Sequence, residues 1–184
     1  MTLVCVRHGE SLGNVENRLS GQIDYPLSTL GTEQAHQIGQ ELTGQFDAIF
    51  SSPLIRATQT ATLISPKYKT LPEMIERSGG SYEGMTFGEL KKLLPPRKYK
   101  LWQRDWYSAP LHGESYQDVH DRVVPAFKKH ILPLIQKGSR VALVGHSVVM
   151  KVLLGHLRGM TEKAIMDMPI ENAVPYVFRG PFGK

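Results

Sequence analysis

Leu3-Val4-Cys5-Val6-Arg7-His8-Gly9-Glu10 opens the chain, and Val141-Ala142-Leu143-Val144-Gly145-His146-Ser147 follows the same plan near its other end. In each, four apolar residues, partly β-branched, run without interruption into a polar break. Such a run reads as a short strand buried on both faces. In each, the break delivers a histidine beside a glycine. Two buried strands with helical patterns between them already point to a sheet covered on both sides.

The stretches between them extend that reading. Ser28 to Leu42 has a capping serine and apolar positions at Leu30, Ala35, Ile38 and Leu42, so it reads as a helix. Asp47 to Ser51 reads as a second strand, and Pro53 to Ile64 as a helix with proline near its first turn. Leu71 to Ile75 fits a short edge strand. Glu114 to Gln136 holds a long helical pattern that Pro125 and Pro133 should bend. Val148 to Leu157 reads as a helix and Val174 to Phe178 as a last strand. Strands alternate with helices, which argues an α/β fold with a mostly parallel sheet and helices on both faces. One domain over residues 1–184 is expected. The loosest stretches are Pro95 to Pro110, where a lid could form, and the tail from Gly180 to Lys184.

Composition narrows the function. Apolar residues make up 41% of 184, enough for one core without staples. No run of eighteen apolar residues is present, so no membrane span is expected. Leu3 to Val6 is too short for a signal peptide. Cys5, the one cysteine, lies inside a strand and reads as an inert buried thiol. A cytoplasmic protein is the default. The net charge of +5, from 22 basic and 17 acidic residues, suits either a solvated basic surface or an anionic partner. Lys91-Lys92, Arg97-Lys98 and Lys128-Lys129 are scattered, so nucleic acid is not the expected partner. A small phosphorylated substrate fits the same charge.

Ligands of open parallel sheets bind at the carboxyl ends of the strands. His8 and His146 stand there, with Arg7 beside one and Arg56 about a turn into the helix after Ser51. Helix N-termini at that edge add N–H donors for an anion. Singly, each of these residues is as well explained by structure or solvation; their convergence is what points to a site. Rival chemistries lack their motifs. Val149 fills the last glycine of a Gly-x-Ser-x-Gly elbow. There is no P-loop, no Gly-x-Gly-x-x-Gly and no His-Glu-x-x-His, and one cysteine excludes paired-cysteine metal sites. His36, His112, His120, His130 and His156 show no ligand spacing, and no metal is expected.

Arg7-His8-Gly9-Glu10-Ser11 with Asn14 resembles the signature of the histidine phosphatase superfamily. The stretch from Asn14 to Gly21, with Asp24, Leu27-Ser28 and Gly31, is similar to its phosphoglycerate mutase branch. Ser51-Ser52-Pro53 with Arg56-Ala57 and Thr60, Glu76-Arg77 with Gly80 and Gly84, Gly113-Glu114-Ser115 and Gly145-His146 fit the remaining motifs, so the resemblance spans nearly the whole chain. It implies a three-layer α/β/α sandwich. It implies His8 as the nucleophile that becomes phosphohistidine, and Arg7, Arg56 and His146 as the phosphate pocket. Asn14 is a further contact, Glu76 the proton donor and acceptor, and Ser20 and Gly21 a substrate-touching position; Arg104 and Ser147 also fall at substrate-binding positions. Nearby cations would keep His8 neutral and stabilise charge on the transferring oxygens. Without the family frame, Glu76 reads as a solvated turn residue.

The departures from the mutases concern substrate. Mutases resembling this chain carry Tyr where Gly79 stands and Lys where Phe87 stands. They carry an arginine pair where Gln103-Arg104 stands, and Gly-Asn where Ser147-Val148 stands. A mutase needs a closed, cationic pocket that keeps water from the phosphohistidine. The expectation is therefore a phosphatase on a mutase-like frame, with an apolar part of the substrate near Phe87, and with no cofactor required. The alternative is a mutase primed by 2,3-bisphosphoglycerate. A binding module without chemistry is a third reading, disfavoured because Arg7, His8, Arg56, Glu76 and His146 all stand. Monomer and homodimer are both open.

Overall fold

The computed structural model describes residues 2–180; Pro181 to Lys184 of the tail lie outside them. The described residues form a five-stranded sheet in the order β3-β2-β4-β1-β5. The strands are β1 (Thr2–Arg7), β2 (Ala48–Ser51), β3 (Lys69–Thr70), β4 (Arg140–Gly145) and β5 (Pro175–Arg179). β1, β4, β2 and β3 are parallel; β5 pairs antiparallel with β1 at one edge. The two runs that opened the sequence reading are the central pair, with Leu3 opposite Val141 and Arg7 opposite Gly145.

Alternation along these strands builds two cores. Leu3, Cys5, Phe50, Val141 and Leu143 face one way, onto α6 (Tyr116–Ala126), α7 (Leu132–Gln136) and α8 (Ser147–Leu157). Val4, Val6, Ile49, Ala142 and Val144 face the other, onto α2 (Thr29–Leu42) and α3 (Ile55–Ile64). Burial on both faces is why the strands read as continuous apolar runs rather than alternating ones. The result is the expected three-layer α/β/α sandwich. Cys5 is fully buried, and desolvation pushes its thiol up to about 12.

Several boundaries differ from the sequence reading. The α3 helix starts at Ile55, two residues past Pro53; Asp24 Oδ1 accepts the Ile55 N–H at 2.6 Å. The third strand is Lys69–Thr70, and Pro72–Met74 forms a 3-10 turn instead. The apolar signal of Leu71 and Met74 reflects burial in the core under that turn. The long helix is continuous, with a wide π-helical turn at Phe127–Ile131 between its two prolines. Proline offers no N–H to the regular ladder, and the wider turn absorbs the mismatch. The loose Pro95–Pro110 stretch contains α5 (Pro96–Arg104). It packs beside α4 (Phe87–Leu93) through Trp102, which meets Tyr82, Phe87 and Tyr99. The short helices α1 (Leu12–Val15) and α9 (Glu162–Asp167) complete the chain.

Candidate active site

β1 and β4 end side by side at the carboxyl edge of the sheet, where His8 lines a cavity of about 410 Å³ and His146 stands behind it. The His8 N–H continues the ladder to Gly145 O at 3.0 Å, and the Asn172 amide donates to His8 O at 2.8 Å. Gly9 follows because the backbone of α2 lies against it: a Cβ there would come within 2.3 Å of Gly31 O. The Gly9 N–H donates to Thr60 Oγ1 at 3.2 Å, tying the loop to α3. His8 is thus positioned by backbone on three sides.

Its protonation follows from its partners. His8 Nδ1 lies 2.6 Å from Gly9 O. A carbonyl only accepts, so the ring proton sits on Nδ1 and the lone pair on Nε2. Burial, then Arg56 and Arg7, hold the imidazole well below the ordinary histidine range, so it is neutral. A neutral imidazole with a free Nε2 is a nucleophile.

His146 caps α8 from a fully buried position, its ring edge-on to His8 with centroids 5.2 Å apart. Its Nε2 lies 2.7 Å from Ser52 Oγ. Ser52 Oγ accepts the Leu54 N–H at 3.3 Å and keeps its own proton to give to His146 Nε2. With the bond made in that direction, the His146 proton is on Nδ1. Burial, then His8 and the arginines, keep this ring neutral too.

The two arginines are anchored by carbonyls. Arg7 Nη1 donates to Ile170 O, and Arg56 donates to Ile23 O and Gly21 O, each at 2.8 Å. The Gly21 backbone takes φ +49, and a Cβ there would strike the Glu83 carboxylate. Arg7 Nε, His146 Nδ1 and Ser20 Oγ are buried without a hydrogen-bond partner among the described residues. An unsatisfied buried polar group costs about 1–3 kcal/mol.

Glu76 stands across the cavity. Its Oε1 accepts the Arg77 N–H at 2.8 Å and its Oε2 the Val148 N–H of the first turn of α8 at 3.4 Å. Arg122 holds the Glu76 carbonyl at 3.2 Å and the Glu114 carboxylate at 2.7 and 2.9 Å. Glu114 in turn accepts the Ser78 N–H at 2.8 Å. Asn14 reaches the same cavity from the end of a capping box, where its Oδ1 accepts from Ser11.

Of the residues singled out from the sequence, Arg7, His8, Asn14, Ser20, Gly21, Arg56, Glu76 and Ser147 line this cavity, and His146 backs it. Arg104 is exposed and stays outside the lining, which its neighbour Gln103 joins. Ser52, Thr60, Arg122 and Lys151 were not assigned roles from sequence. A helical wheel from Ser147 would have found Lys151, four residues on; the others depend on tertiary contacts.

The family model for the histidine phosphatase superfamily (branch 1) matches residues 3–180. The chain belongs to the histidine phosphatase superfamily. Among similar histidine phosphatases, phosphoglycerate mutase of Schizosaccharomyces pombe is 32% identical over 186 residues, covering 96% of this chain and 88% of that one. The structure of a mycobacterial glucosyl-3-phosphoglycerate phosphatase superposes with TM-score 0.84 at 29% identity, covering 96% of this chain and 91% of the other. That of alpha-ribazole phosphatase from Shigella flexneri superposes with TM-score 0.83 at 28% identity, covering 96% and 89%. Members of this superfamily are thus named both as mutases and as phosphatases, and the fold is common to them.

Proposed function

We propose that this histidine phosphatase hydrolyses a small phosphomonoester through a phosphohistidine on His8, without a cofactor and in the cytoplasm. In the first half, the His8 Nε2 lone pair forms a bond to phosphorus as the bond to the leaving oxygen breaks. Glu76 gives its proton to that oxygen. Arg7, Arg56 and the His146 Nδ1–H hold the three equatorial oxygens, on which charge is spread in the transition state. The Val148 N–H at the start of α8 holds the Glu76 carboxyl on the leaving-group side. In the second half, water gives a proton to Glu76 as its oxygen bonds to phosphorus. The P–N bond breaks, and His8 returns neutral. Asn14 and Ser20 are assigned to the phosphate rim, and Gly21 acts through its carbonyl grip on Arg56.

The observation that carries the hydrolytic reading is the wall beyond the phosphate pocket. Phe87 stacks on Trp102 there, with centroids 6.5 Å apart. At Gly79, a Cβ would come within 2.7 Å of Leu19. Lysine and tyrosine are the residues the mutase resemblance would place at those two positions. An aromatic wall favours an apolar portion of a leaving group over the reorientation of a doubly charged intermediate. The named mutase relatives support the second reading, a mutase primed by 2,3-bisphosphoglycerate.

The test uses purified protein with 3-phosphoglycerate, in EDTA, with and without 2,3-bisphosphoglycerate. Both 2-phosphoglycerate and inorganic phosphate are followed, with p-nitrophenyl phosphate in parallel. Phosphate release with little isomerisation is expected. Fast isomerisation dependent on the bisphosphate would make the protein a mutase.

A further inference from the structure

Lys151 sits four residues after Ser147 on α8, one turn along the same helix face, and lines the cavity beside Val148 and Met166. Of the cavity cations outside the proposed phosphoryl pocket, it makes the fewest hydrogen bonds. Arg7 and Arg56 are committed to the phosphoryl group in the proposed reaction. Arg18 pairs with Glu16 at 2.5 Å and donates to Gly84 O. Arg77 donates to Glu114 O and Ser108 O, and its guanidinium lies 4.8 Å over the ring of Tyr116. Lys151 Nζ makes one bond, to Met166 O at 2.8 Å, and forms no ion pair among the described residues. It is half-buried, and desolvation lowers the affinity of its amine for a proton, opposed by the field of Glu76. A desolvated ammonium with two N–H groups to spare is costly unless an anion meets it.

Its place along the reaction path says which anion. The Glu76 carboxylate reaches the Val148 N–H, so a leaving oxygen protonated by Glu76 lies at the first turn of α8. Lys151 is the next turn. A group on the leaving fragment, separated from the transferred phosphate by a few carbon atoms, would arrive there. Phe87 and Trp102 offer an apolar surface for those carbons.

We propose that Lys151 anchors a carboxylate on the leaving group, so that the preferred substrate is a phosphomonoester of a small hydroxy acid. A single ammonium with two free N–H groups balances a monoanion and would leave a second phosphate dianion half neutralised. The proposal rests on the phosphatase reading and locates a second anion site on a different wall from Phe87 and Gln103.

The experiment compares wild type, Lys151→Met and Lys151→Arg on two matched pairs: 3-phosphoglycerate against glycerol 3-phosphate, and 3-carboxyphenyl phosphate against phenyl phosphate. The wild type is expected to favour the carboxylated member of each pair in kcat/KM. Lys151→Met should cut that preference about tenfold, chiefly through KM, the size of one charge-assisted hydrogen bond. Lys151→Arg should retain most of it. An unchanged preference in Lys151→Met, or equal losses on both members, would overturn the proposal; equal losses would mean that Lys151 acts on Glu76 or on the phosphate itself. A larger gain from propane-1,3-diol bisphosphate over its monophosphate than from the carboxylate would also overturn the choice of anion.

Calorimetric titration of 3-phosphoglycerate and glycerol 3-phosphate into His8→Ala protein, with and without Lys151→Met, separates the two layers. A Lys151-dependent difference in Kd without phosphate release from the wild type would keep the anion site and remove the phosphatase reading. Phosphate release with no such difference would do the reverse.

Discussion

The floor and the rim of the cavity are built by different means. Arg7, His8 and His146 leave the ends of two central, paired strands, and Arg56 is held by two backbone carbonyls. Arg7, His8 and Arg56 are oriented by main-chain carbonyls, and His146, fully buried, by the Ser52 hydroxyl. Phe87, Trp102, Gln103 and Met166 come instead from α4, α5 and α9, helices of nine residues or fewer. Helices that short are marginal alone and depend on side-chain packing, here mostly on Trp102. The floor carries a chemistry that tolerates little displacement, while the rim can be rebuilt without disturbing it. Relatives of one fold that are named as mutases and as phosphatases fit that division.

The division is open to direct attack. His8→Ala should lower turnover of every phosphomonoester by at least about 10⁴-fold, since no other group accepts the phosphoryl; turnover measured on p-nitrophenyl phosphate near the wild-type rate would move the chemistry out of the floor. Glu76 stands between floor and rim, and Glu76→Gln should sharpen the boundary. Alkyl phosphates should slow by about 10²-fold or more, and p-nitrophenyl phosphate, whose leaving group needs little protonation, by much less. Equal slowing in steady-state assays would remove Glu76 as the acid.

The buried floor also has a cost that the exposed rim does not. His8 and His146 have folded-state proton affinities well below the ordinary 6.5. Below pH 6.5 the unfolded chain therefore binds protons that the folded chain refuses, so stability is complete above that pH and falls as pH drops. The slope should approach about 1.4 kcal/mol per pH unit for each histidine until the folded values are reached. Urea unfolding from pH 7.5 to 5 measures it, and His8→Asn should remove part of the slope. The smallest effect expected is that of Ser52→Ala. With the hydroxyl gone, His146 is free to place its proton on either nitrogen, and kcat should drop about three- to tenfold. Ring nitrogen chemical shifts of His146 read the tautomer; an unchanged Nδ1–H form in that variant would show that Ser52 does not set it.

The same division governed what was legible in the sequence. Floor residues announce themselves because the strands that carry them are continuous apolar runs, and Arg7, His8 and His146 sit at the break of each run. Arg56 follows from the helix after Ser51. The rim was opaque. The α5 helix opens on Pro95-Pro96 and carries Arg97, Lys98 and Lys100, with little apolar stripe; it is a helix because Trp102 finds Tyr82 and Phe87. The two residues of β3, Lys69 and Thr70, are exposed and lack an apolar signal, whereas Leu71 and Met74, which have one, cover the core from a turn. Ser52 stood inside a recognised motif, yet its role depends on a contact 94 residues away. Arg104 was drawn toward the site by its position after Trp102, and the turn of α5 points Gln103 inward in its place.

The central claim is that the phosphoryl group rests on His8 Nε2 and passes from there to water. Rapid chemical quench of a single turnover with a slow phosphomonoester, followed by mass analysis of the peptide carrying His8, tests it most directly. A phosphoryl adduct on His8 that appears at the rate of leaving-group release and decays at the rate of phosphate release is the predicted result. Phosphate release at full rate with no adduct on that peptide would contradict it.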